Sequence, residues 1–421
     1  MPDVPIPIRD LTILRELARR VAEIAALPIQ QERIELWKAL NEMRPIRPVV
    51  AVYPERAWDE MLPASLLQCE HNHARNLEMD LRRRIYHHEH VADDRPIHAD
   101  ILIAPAWGHS GLGVHSRTIH ADGHDGPEAY TWDPPIKTMA DTEKMRVGEV
   151  TVDLDAMRRA IVIHDEIFDG VLNVRHYGSI PFWSVGISQL AQLRGLGQAM
   201  MDMYDNPDIL HAILSVLRDD RMHLMDVFER EGYLTPNNDV TPIHYFIGSG
   251  HEGYTDELPA ADYRGVGRWK DMWGLGEMQE FSGVGPAQFE EFSLQYQLPM
   301  LDRFGLVDYG CCEPLDRMYD LLLARIPKLR RVSITTPYAS KRIAAEKLAG
   351  RCIFDWKPNP TWLATEVVDW DGVEADIRET LDVARGMPIN IIMKSTETFR
   401  NQPDRVGKYV DIALRLACEM S

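Results

Sequence analysis

The sequence has few cysteines and no long apolar run, and each shortage excludes a class of protein. Five cysteines in 421 residues are too few and too irregularly spaced for a disulfide framework: Cys69, Cys311, Cys312, Cys352 and Cys418. No stretch reaches the roughly 18 consecutive apolar residues that would cross a bilayer. The first residues also lack the basic and apolar segments of an export signal. We therefore expect a cytoplasmic protein with reduced thiols and no membrane association.

Basic side chains are also fewer than acidic ones. The chain has 65 acidic and 46 basic residues, which gives a formal charge of -19. Because such a surface repels phosphate backbones, nucleic acid is excluded as a partner. With 45% hydrophobic and 26% charged residues, the composition is typical of a globular protein with a large core. A small molecule is the expected substrate.

Short apolar runs alternate with amphipathic helical segments through most of the chain. Leucines, isoleucines and alanines recur every three or four residues over residues 8–43, with an interruption at Pro28. This spacing predicts two helices in an N-terminal helical extension spanning residues 1–47. Strands alternating with helices favour a parallel sheet, and no G-x-G-x-x-G turn follows an early strand. We therefore predict an α/β fold, a TIM (β/α)8 barrel over residues 48–421, with a loop-rich insertion at about 108–135. The predicted strands are residues 48–53, 97–107, 170–174, 277–281, 306–309, 331–334, 352–356 and 389–393.

Two thiols and a carboxylate follow the predicted strand at 306–309, in the segment Tyr309-Gly310-Cys311-Cys312-Glu313. We predict that Pro314 opens a helix, whose amino end would lower the pKa of nearby thiols. The resulting thiolates could bind a metal or attack an electrophile. Tyr309 and Glu313 are further candidate catalytic residues. Either cysteine alone also fits the role of a small apolar core residue.

A metal at this point would need help from distant donors, because adjacent cysteines seldom both ligate one ion. The candidate donors are His244, His251, Glu277, Glu280 and Glu397. The six-residue spacing of the two histidines matches no standard ligand pair on one helix. For each histidine, a hydrogen bond to the backbone is the simpler interpretation.

Polar residues at other predicted strand ends are candidates for the same cavity. Glu277 and Glu280 lie in a run that should be buried, so at least one is expected to line a polar site as general acid or base. Lys357, Asn359 and Lys394 follow the last two predicted strands and could bind an anionic group of the substrate. Exposed surface lysines are the alternative.

Six short segments, in this order, resemble the uroporphyrinogen decarboxylase superfamily from about residue 97 to the C-terminus. They are Leu193-Arg194-Gly195-Leu196, Met203-Tyr204-Asp205-Asn206-Pro207, Pro286-Ala287-Gln288-Phe289-Glu290-Glu291-Phe292, Tyr309-Gly310-Cys311-Cys312-Glu313-Pro314-Leu315, Trp356-Lys357-Pro358-Asn359-Pro360 and Asn401-Gln402-Pro403. The resemblance implies a TIM-type barrel with its active site at the carboxyl ends of the strands. It also implies a homodimer, since dimerisation is common in that superfamily.

The superfamily contains porphyrinogen decarboxylases and methyltransferases that exchange methyl groups with a corrinoid. The arginine-rich segment that holds propionates in true decarboxylases is absent, since residues 49–56 read VVAVYPER. The thiol-using methyltransferases hold zinc with a His-x-Cys and a later cysteine. Here Tyr309 stands in place of that histidine, and Cys311 matches the first cysteine. The position of the later cysteine falls near Thr396 and Glu397, where this sequence has no cysteine.

Three hypotheses follow. The leading one is a corrinoid-linked methyltransferase that acts on a small methylated metabolite, with a corrinoid protein as partner and zinc held by Cys311 or Cys312 with Glu313, Glu397 or a histidine. The second is a cofactor-independent decarboxylase or lyase that uses Glu280 or Glu277 as acid or base. The third is a non-catalytic binder of a tetrapyrrole or corrinoid, which would be coloured when purified.

Overall fold

The structure is a computed structural model that describes residues 5–120, 130–179 and 187–420. Its strands are β1 (Val49–Val52), β2 (Asp100–Ile103), β3 (Ala106–His109), β4 (Arg117–His120), β5 (Tyr130–Asp133), β6 (Val150–Asp153), β7 (Asn173–His176), β8 (Trp273–Gly276), β9 (Leu306–Tyr309), β10 (Leu329–Thr335), β11 (Ile353–Lys357) and β12 (Ile389–Met393).

The α-helices surround these strands. They are α1 (Ile8–Ala25), α2 (Pro28–Asn41), α3 (Trp58–Met61), α4 (Asn72–Tyr86), α5 (Met139–Thr142), α6 (Leu154–Phe168), α7 (Ile187–Arg194), α8 (Leu196–Asp205), α9 (Pro207–Arg230), α10 (Pro286–Phe289), α11 (Gln295–Leu301), α12 (Tyr319–Arg325), α13 (Lys341–Leu348), α14 (Thr361–Ala364), α15 (Trp370–Val383) and α16 (Asp404–Glu419). None of the helices described is both long and apolar enough to cross a membrane.

Six parallel strands form the central sheet, in the order β1-β12-β11-β10-β9-β8. The last strand therefore lies beside the first, with Val49 opposite Asn390. β2 and β7 form a separate parallel pair. Within the described residues, β1 does not pair with β2, nor does β7 pair with β8. The mixed α/β class is confirmed, whereas closure of these eight parallel strands into a barrel stays a prediction.

Side chains complete the hydrogen bonding at both edges of the central sheet. On β1, Asp94 accepts from the Val50 N-H at 2.8 Å and Asp93 accepts from the Val52 N-H at 2.7 Å. On β8, the Asn237 amide accepts from Trp273 N at 2.8 Å and donates to Trp273 O at 3.2 Å. Because buried backbone groups need partners, these three residues allow the edges to be buried without a neighbouring strand.

The two faces of the sheet differ in chemistry. The outer face meets the helices in the main apolar core, to which Val307, Val332 and Ile391 contribute. The inner face carries charge: the Arg331 guanidinium pairs with the Asp355 carboxylate, and both side chains are essentially inaccessible to solvent. Burial of an ion pair requires close geometry and further hydrogen bonds, which here include one from Arg331 to the Asn41 side chain.

The N-terminal helices form as the sequence predicts, and α2 has a structural role in the sheet. Trp37 and Leu40 on α2 pack with Val49 and Ile353, at the amino ends of β1 and β11. Trp37 also donates from Nε1 to the Asp94 carbonyl at 2.9 Å. The helical extension therefore covers the end of the inner face opposite to the carboxyl ends of the strands.

In the predicted insertion, β4 and β5 pair as antiparallel strands of a hairpin, and residues 121–129 between them lie outside the described residues. β3, which overlaps the start of the predicted insertion, pairs antiparallel with β6, which follows its end.

Two predicted elements are wrong. The predicted strand at 277–281 is a short 3-10 turn, and the real strand, β8, precedes it. A Cβ on Gly274 would meet the Phe304 ring at 2.3 Å, and a Cβ on Gly276 would meet the Tyr309 ring at 2.5 Å, so both positions need glycine. Because glycine is uncommon inside strands, the sequence does not show a strand pattern here. The helix predicted to begin at Pro314 begins at Tyr319.

Candidate active site

The chain turns sharply after β9 and brings Cys311 to the carboxyl edge of the sheet. Gly310 makes this turn with φ of +96°, and a Cβ there would approach Leu315 Cδ1 to 2.6 Å. Glu313 then folds back: its carboxylate accepts from Cys311 N at 2.9 Å and from Met278 N at 2.8 Å. Burial raises the pKa of Glu313. This residue thus joins the chain after β8 to the chain after β9.

The Cys311 thiol lies among hydrogen-bond donors and cations. Its Sγ is 3.6 Å from Cys312 Sγ and 3.8 Å from Lys394 Nζ. Lys357 donates from Nζ to the Cys311 carbonyl at 3.0 Å and to Ser333 Oγ at 2.6 Å. The hydrogen bond with Cys312 and the charges of the two lysines lower the pKa of Cys311 despite burial. The thiolate form is therefore more favoured at Cys311 than at an ordinary cysteine.

The origin of this thiolate differs from the sequence prediction. A helix dipole was expected to lower the thiol pKa, but the first helix after Cys312 does not begin until Tyr319. Two lysines at the ends of β11 and β12 take that role, and both are almost fully buried, at 3% and 6% exposure. Both lysines lie next to Cys311. Their predicted role in binding an anionic group of the substrate stays a prediction.

Cys312 differs from its neighbour in both exposure and charge. Its side chain is exposed, whereas Cys311 is buried. The hydrogen bond with Cys311 and partial desolvation raise the pKa of Cys312. Ionisation of the pair is therefore favoured at Cys311.

Glu277 lies just beyond β8, on the same edge. It is 4% exposed, and its carboxylate accepts from Gln279 N at 2.9 Å. Burial raises the pKa of Glu277 to about 8, and the charges of Glu313, Glu280 and Cys311 act in the same direction. The raised pKa favours the protonated form of Glu277, which is able to give up a proton. Glu280 is half-buried and pairs with the Ser188 hydroxyl.

Two other predicted residues lie away from the thiolate. Tyr309 is on the outer face, where its hydroxyl donates to Gln297 Oε1 at 3.3 Å and burial raises its pKa well above the usual value. Asn359 accepts from Thr361 N at 3.0 Å and so shapes the turn into α14. Neither contact tests the catalytic or binding role predicted for these residues.

Of the five predicted metal ligands, Cys311 and Cys312 are in contact, whereas the other three have different neighbours. Glu397 is exposed and pairs with Arg56 at 3.3 Å. His244 lies 3.6 Å from Asp80. His251 is fully buried, with Nδ1 3.1 Å from the Glu252 carbonyl and Nε2 3.9 Å from Asp308 Oδ2. Among the described residues, no three His, Cys, Asp or Glu side chains form a group that could hold a metal ion.

Sequence reasoning missed two residues of the inner face beneath the thiolate. Asp308 accepts from Ser249 N at 2.6 Å, and burial raises its pKa to about 7. Ser249 also hydrogen-bonds to Lys357 through its hydroxyl. The signal for Asp308 was a carboxylate within an apolar strand, the same signal that was read at Glu277. Ser249 lies between two glycines and carries no comparable signal.

A cavity of about 410 Å³ lies between the β2–β7 pair and the free edge of β8. Its lining is mainly apolar and includes Phe246, Trp273 and His244. The Phe246 ring also lies 4.5 Å from Lys394 Nζ. Phe246 therefore separates this cavity from the lysine beside Cys311.

Comparison with known proteins adds little to this geometry. No protein-family model and no curated protein matches the sequence. A solved structure, a methyltransferase from Methanosarcina mazei, is similar over 92% of this chain and 98% of that chain, with 13% identity and a TM-score of 0.47. At this level of similarity, neither a shared family nor a shared activity follows.

Proposed function

We propose that the chain is a methyltransferase that removes a methyl group from a small anionic metabolite at the Cys311 edge of the sheet. One observation carries the proposal: the buried Cys311 sulfur lies 3.8 Å from Lys394 Nζ, at the same edge of the sheet as Lys357 and the buried carboxyl group of Glu277. The pKa of Glu277 is raised by burial and by nearby negative charges, which include that of Cys311. The site therefore combines a nucleophile, a place for an anion and a proton donor.

Each group has a defined part in a displacement on a methoxylated carboxylate. Lys394 and Lys357 attract the substrate carboxylate and hold the methyl carbon near Cys311. The Cys311 sulfur attacks that carbon, so an S-C bond forms while the C-O bond breaks. The electron pair of the broken bond stays on oxygen, which takes the proton of Glu277. The products are S-methylated Cys311, a hydroxylated substrate and ionised Glu277.

The residues present do not fit the zinc site that the superfamily resemblance implies. Cys311 faces Lys394, a cation that would repel a metal ion, and its predicted co-ligands have other partners. We therefore assign no step to zinc. A corrinoid on a separate protein remains our proposed methyl acceptor, and it would supply a reduced cobalt centre that is more nucleophilic than a thiolate.

The proposal is tested by following the methyl group onto sulfur. The protein is incubated with a panel of methoxylated and N-methylated carboxylic acids, and the tryptic peptide spanning residues 304–317, which contains both adjacent cysteines, is examined by mass spectrometry. We expect a gain of about 14 Da on Cys311, lost in Cys311→Ser and retained in Cys418→Ser. Turnover of the same donors that is unaffected by Cys311→Ser would refute the proposal.

Glu277 specifically favours a second candidate, a cofactor-independent decarboxylase. Burial raises the pKa of Glu277 to about 8, which favours its protonated form near neutral pH. A protonated carboxyl group can give its proton to the carbanion left by loss of carbon dioxide. The two candidates respond differently to substitution. Release of carbon dioxide that is abolished by Glu277→Gln but retained in Cys311→Ser would support the decarboxylase.

A further inference from the structure

The two adjacent cysteines have complementary chemistry at short range. Cys311 and Cys312 place their Sγ atoms 3.6 Å apart, and one residue is buried while the other is exposed. Lys394, 3.8 Å from Cys311 Sγ, stabilises negative charge on the buried sulfur. A nucleophilic thiolate with a second thiol in contact is the arrangement found at redox-sensitive cysteines.

We propose that Cys311 and Cys312 are a modification site, at which a small hydroperoxide closes a reversible disulfide between the two residues. Its effect on turnover rests on the proposed function, because Cys311 is the nucleophile there. The oxidation itself does not, since it needs only the two sulfurs and a peroxide.

The chemistry has two balanced steps. The Cys311 thiolate attacks the outer oxygen of the hydroperoxide, so an S-O bond forms, the O-O bond breaks, and the departing alkoxide or hydroxide takes a proton from water. The Cys312 sulfur then attacks the sulfenic sulfur of Cys311. An S-S bond forms, the S-O bond breaks, and hydroxide leaves as water with the proton of Cys312. Overall, two thiols are oxidised by two electrons and one peroxide is reduced.

Adjacency makes the product easy to reverse. Consecutive Cα atoms are about 3.8 Å apart, which is less than the usual separation of roughly 4.4 to 6.8 Å across a disulfide. The bond is therefore strained, and strained, accessible disulfides are the readily reduced ones. Because Cys312 is exposed, a reducing thiol has access to it. We expect a switch rather than a structural cross-link.

Closure would also change the electrostatics of the site. The thiolate is an anion close to Lys394 and Lys357, and both lysines lower its pKa. A disulfide carries no charge, so the two lysines would lose this neighbouring anion. The oxidised protein should therefore be unable to accept a methyl group, yet bind an anionic product more tightly than the reduced form.

Mass spectrometry of the full-length protein tests the pair directly. The reduced protein is treated with about one equivalent of hydrogen peroxide, and the peptide spanning residues 304–317 is analysed without reduction. We expect a loss of about 2 Da in wild type, restored by dithiothreitol. In Cys312→Ser the same peptide should instead gain about 16 or 32 Da, because no second thiol intercepts the sulfenic acid. Cys418→Ser is the matched control and should behave as wild type.

Two results would overturn the inference. One is over-oxidation of Cys311 in wild type at the same rate as in Cys312→Ser. The other is a disulfide that joins either residue to a cysteine elsewhere in the chain. Both readouts are masses and not activities, so they remain decisive even if the proposed methyl transfer is wrong.

Discussion

Lys394 Nζ lies 3.8 Å from Cys311 Sγ, although the strands that carry these residues, β12 and β9, are separated by two others in the sheet. The contact spans the inner face at its carboxyl edge. Lys394 is 6% exposed, so its charge acts through a medium of lower dielectric than water. It is therefore one of the main electrostatic supports of the thiolate.

Replacement of this lysine should make Cys311 a weaker acid. In Lys394→Met we expect the thiol pKa to rise, so that the pH profile for alkylation of Cys311 by iodoacetamide moves to higher pH than in wild type. The rate is measured on the peptide spanning residues 304–317 across a pH series. Lys408→Met, which removes an exposed lysine on α16, is the control. An unchanged profile would show that Lys394 does not stabilise the thiolate.

Glu277 should make the fold less stable as pH rises. Its pKa is about 8 in the fold and 4.5 as an ordinary glutamate, so the folded state holds a proton that the unfolded state releases. This contribution to stability is complete below about pH 4.5 and is lost as pH rises toward 8. We expect Glu277→Gln to remove on the order of 3 to 5 kcal/mol of this pH dependence, measured by urea unfolding between pH 5 and 8.5.

The comparison for this experiment is Glu346→Gln, an exposed residue on α13. Its unfolding profile should follow that of wild type. If Glu277→Gln also kept the wild-type slope, Glu277 would be ionised in the fold and could not serve as a proton donor at neutral pH.

Two neighbouring arginines on β10 allow the contribution of a buried ion pair to stability to be compared with that of a partly exposed one. Arg331 is fully buried with Asp355, whereas Arg330 pairs with the half-exposed Glu257 at 2.7 Å. Arg331→Met should cost about 3 to 5 kcal/mol in unfolding free energy, because it leaves the Asp355 charge buried without its partner. Arg330→Met should cost about 1 kcal/mol or less. Equal losses in chemical denaturation would contradict the buried pair.

Asn237 should protect the free edge of β8. In Asn237→Ala, the Trp273 N-H and C=O lose the side-chain amide that pairs with both. We expect a loss of about 1 to 3 kcal/mol in stability. Hydrogen exchange at the Trp273 amide should accelerate, while exchange at the amides of β11, in the interior of the sheet, should change less. Exchange that stays as slow as in wild type would mean that another group covers this edge.

Zinc analysis distinguishes the sequence hypothesis from the geometry. Because the predicted donors have other partners, we expect purified wild type and the Cys311→Ala/Cys312→Ala double variant to contain the same low amount of zinc, measured by elemental analysis. One equivalent of zinc in wild type, lost in the double variant, would restore the metal site.

Several strands follow from local sequence because their residues are apolar and suit an extended chain. Leu306–Tyr309 and Ile389–Met393 have the bounds that the sequence predicts, and Pro207 marks the start of α9. β8 escaped prediction because Gly274 and Gly276 have low strand propensity, and only the rings packed on them explain their presence.

The candidate site was predictable in part. Polar residues that follow parallel strands meet at one edge, and Cys311 lies there beside Lys357 and Lys394. The roles predicted for these residues stay predictions. The environment of His251 could not be predicted in the same way. It depends on a segment between α9 and β8 that crosses the inner face, and no periodic pattern specifies where such a segment lies. The failure of the predicted metal ligands to meet has the same physical origin.

The pairing of β1 with β12 has a consequence for synthesis of the protein. Val49 leaves the ribosome long before its partner Asn390 exists, so one edge of the central sheet must wait until nearly the whole chain is made. During that interval the apolar β1 is without the strand that covers it. We therefore expect nascent chains halted before β12 to depend on chaperones and to be insoluble when released, while the finished chain remains in solution.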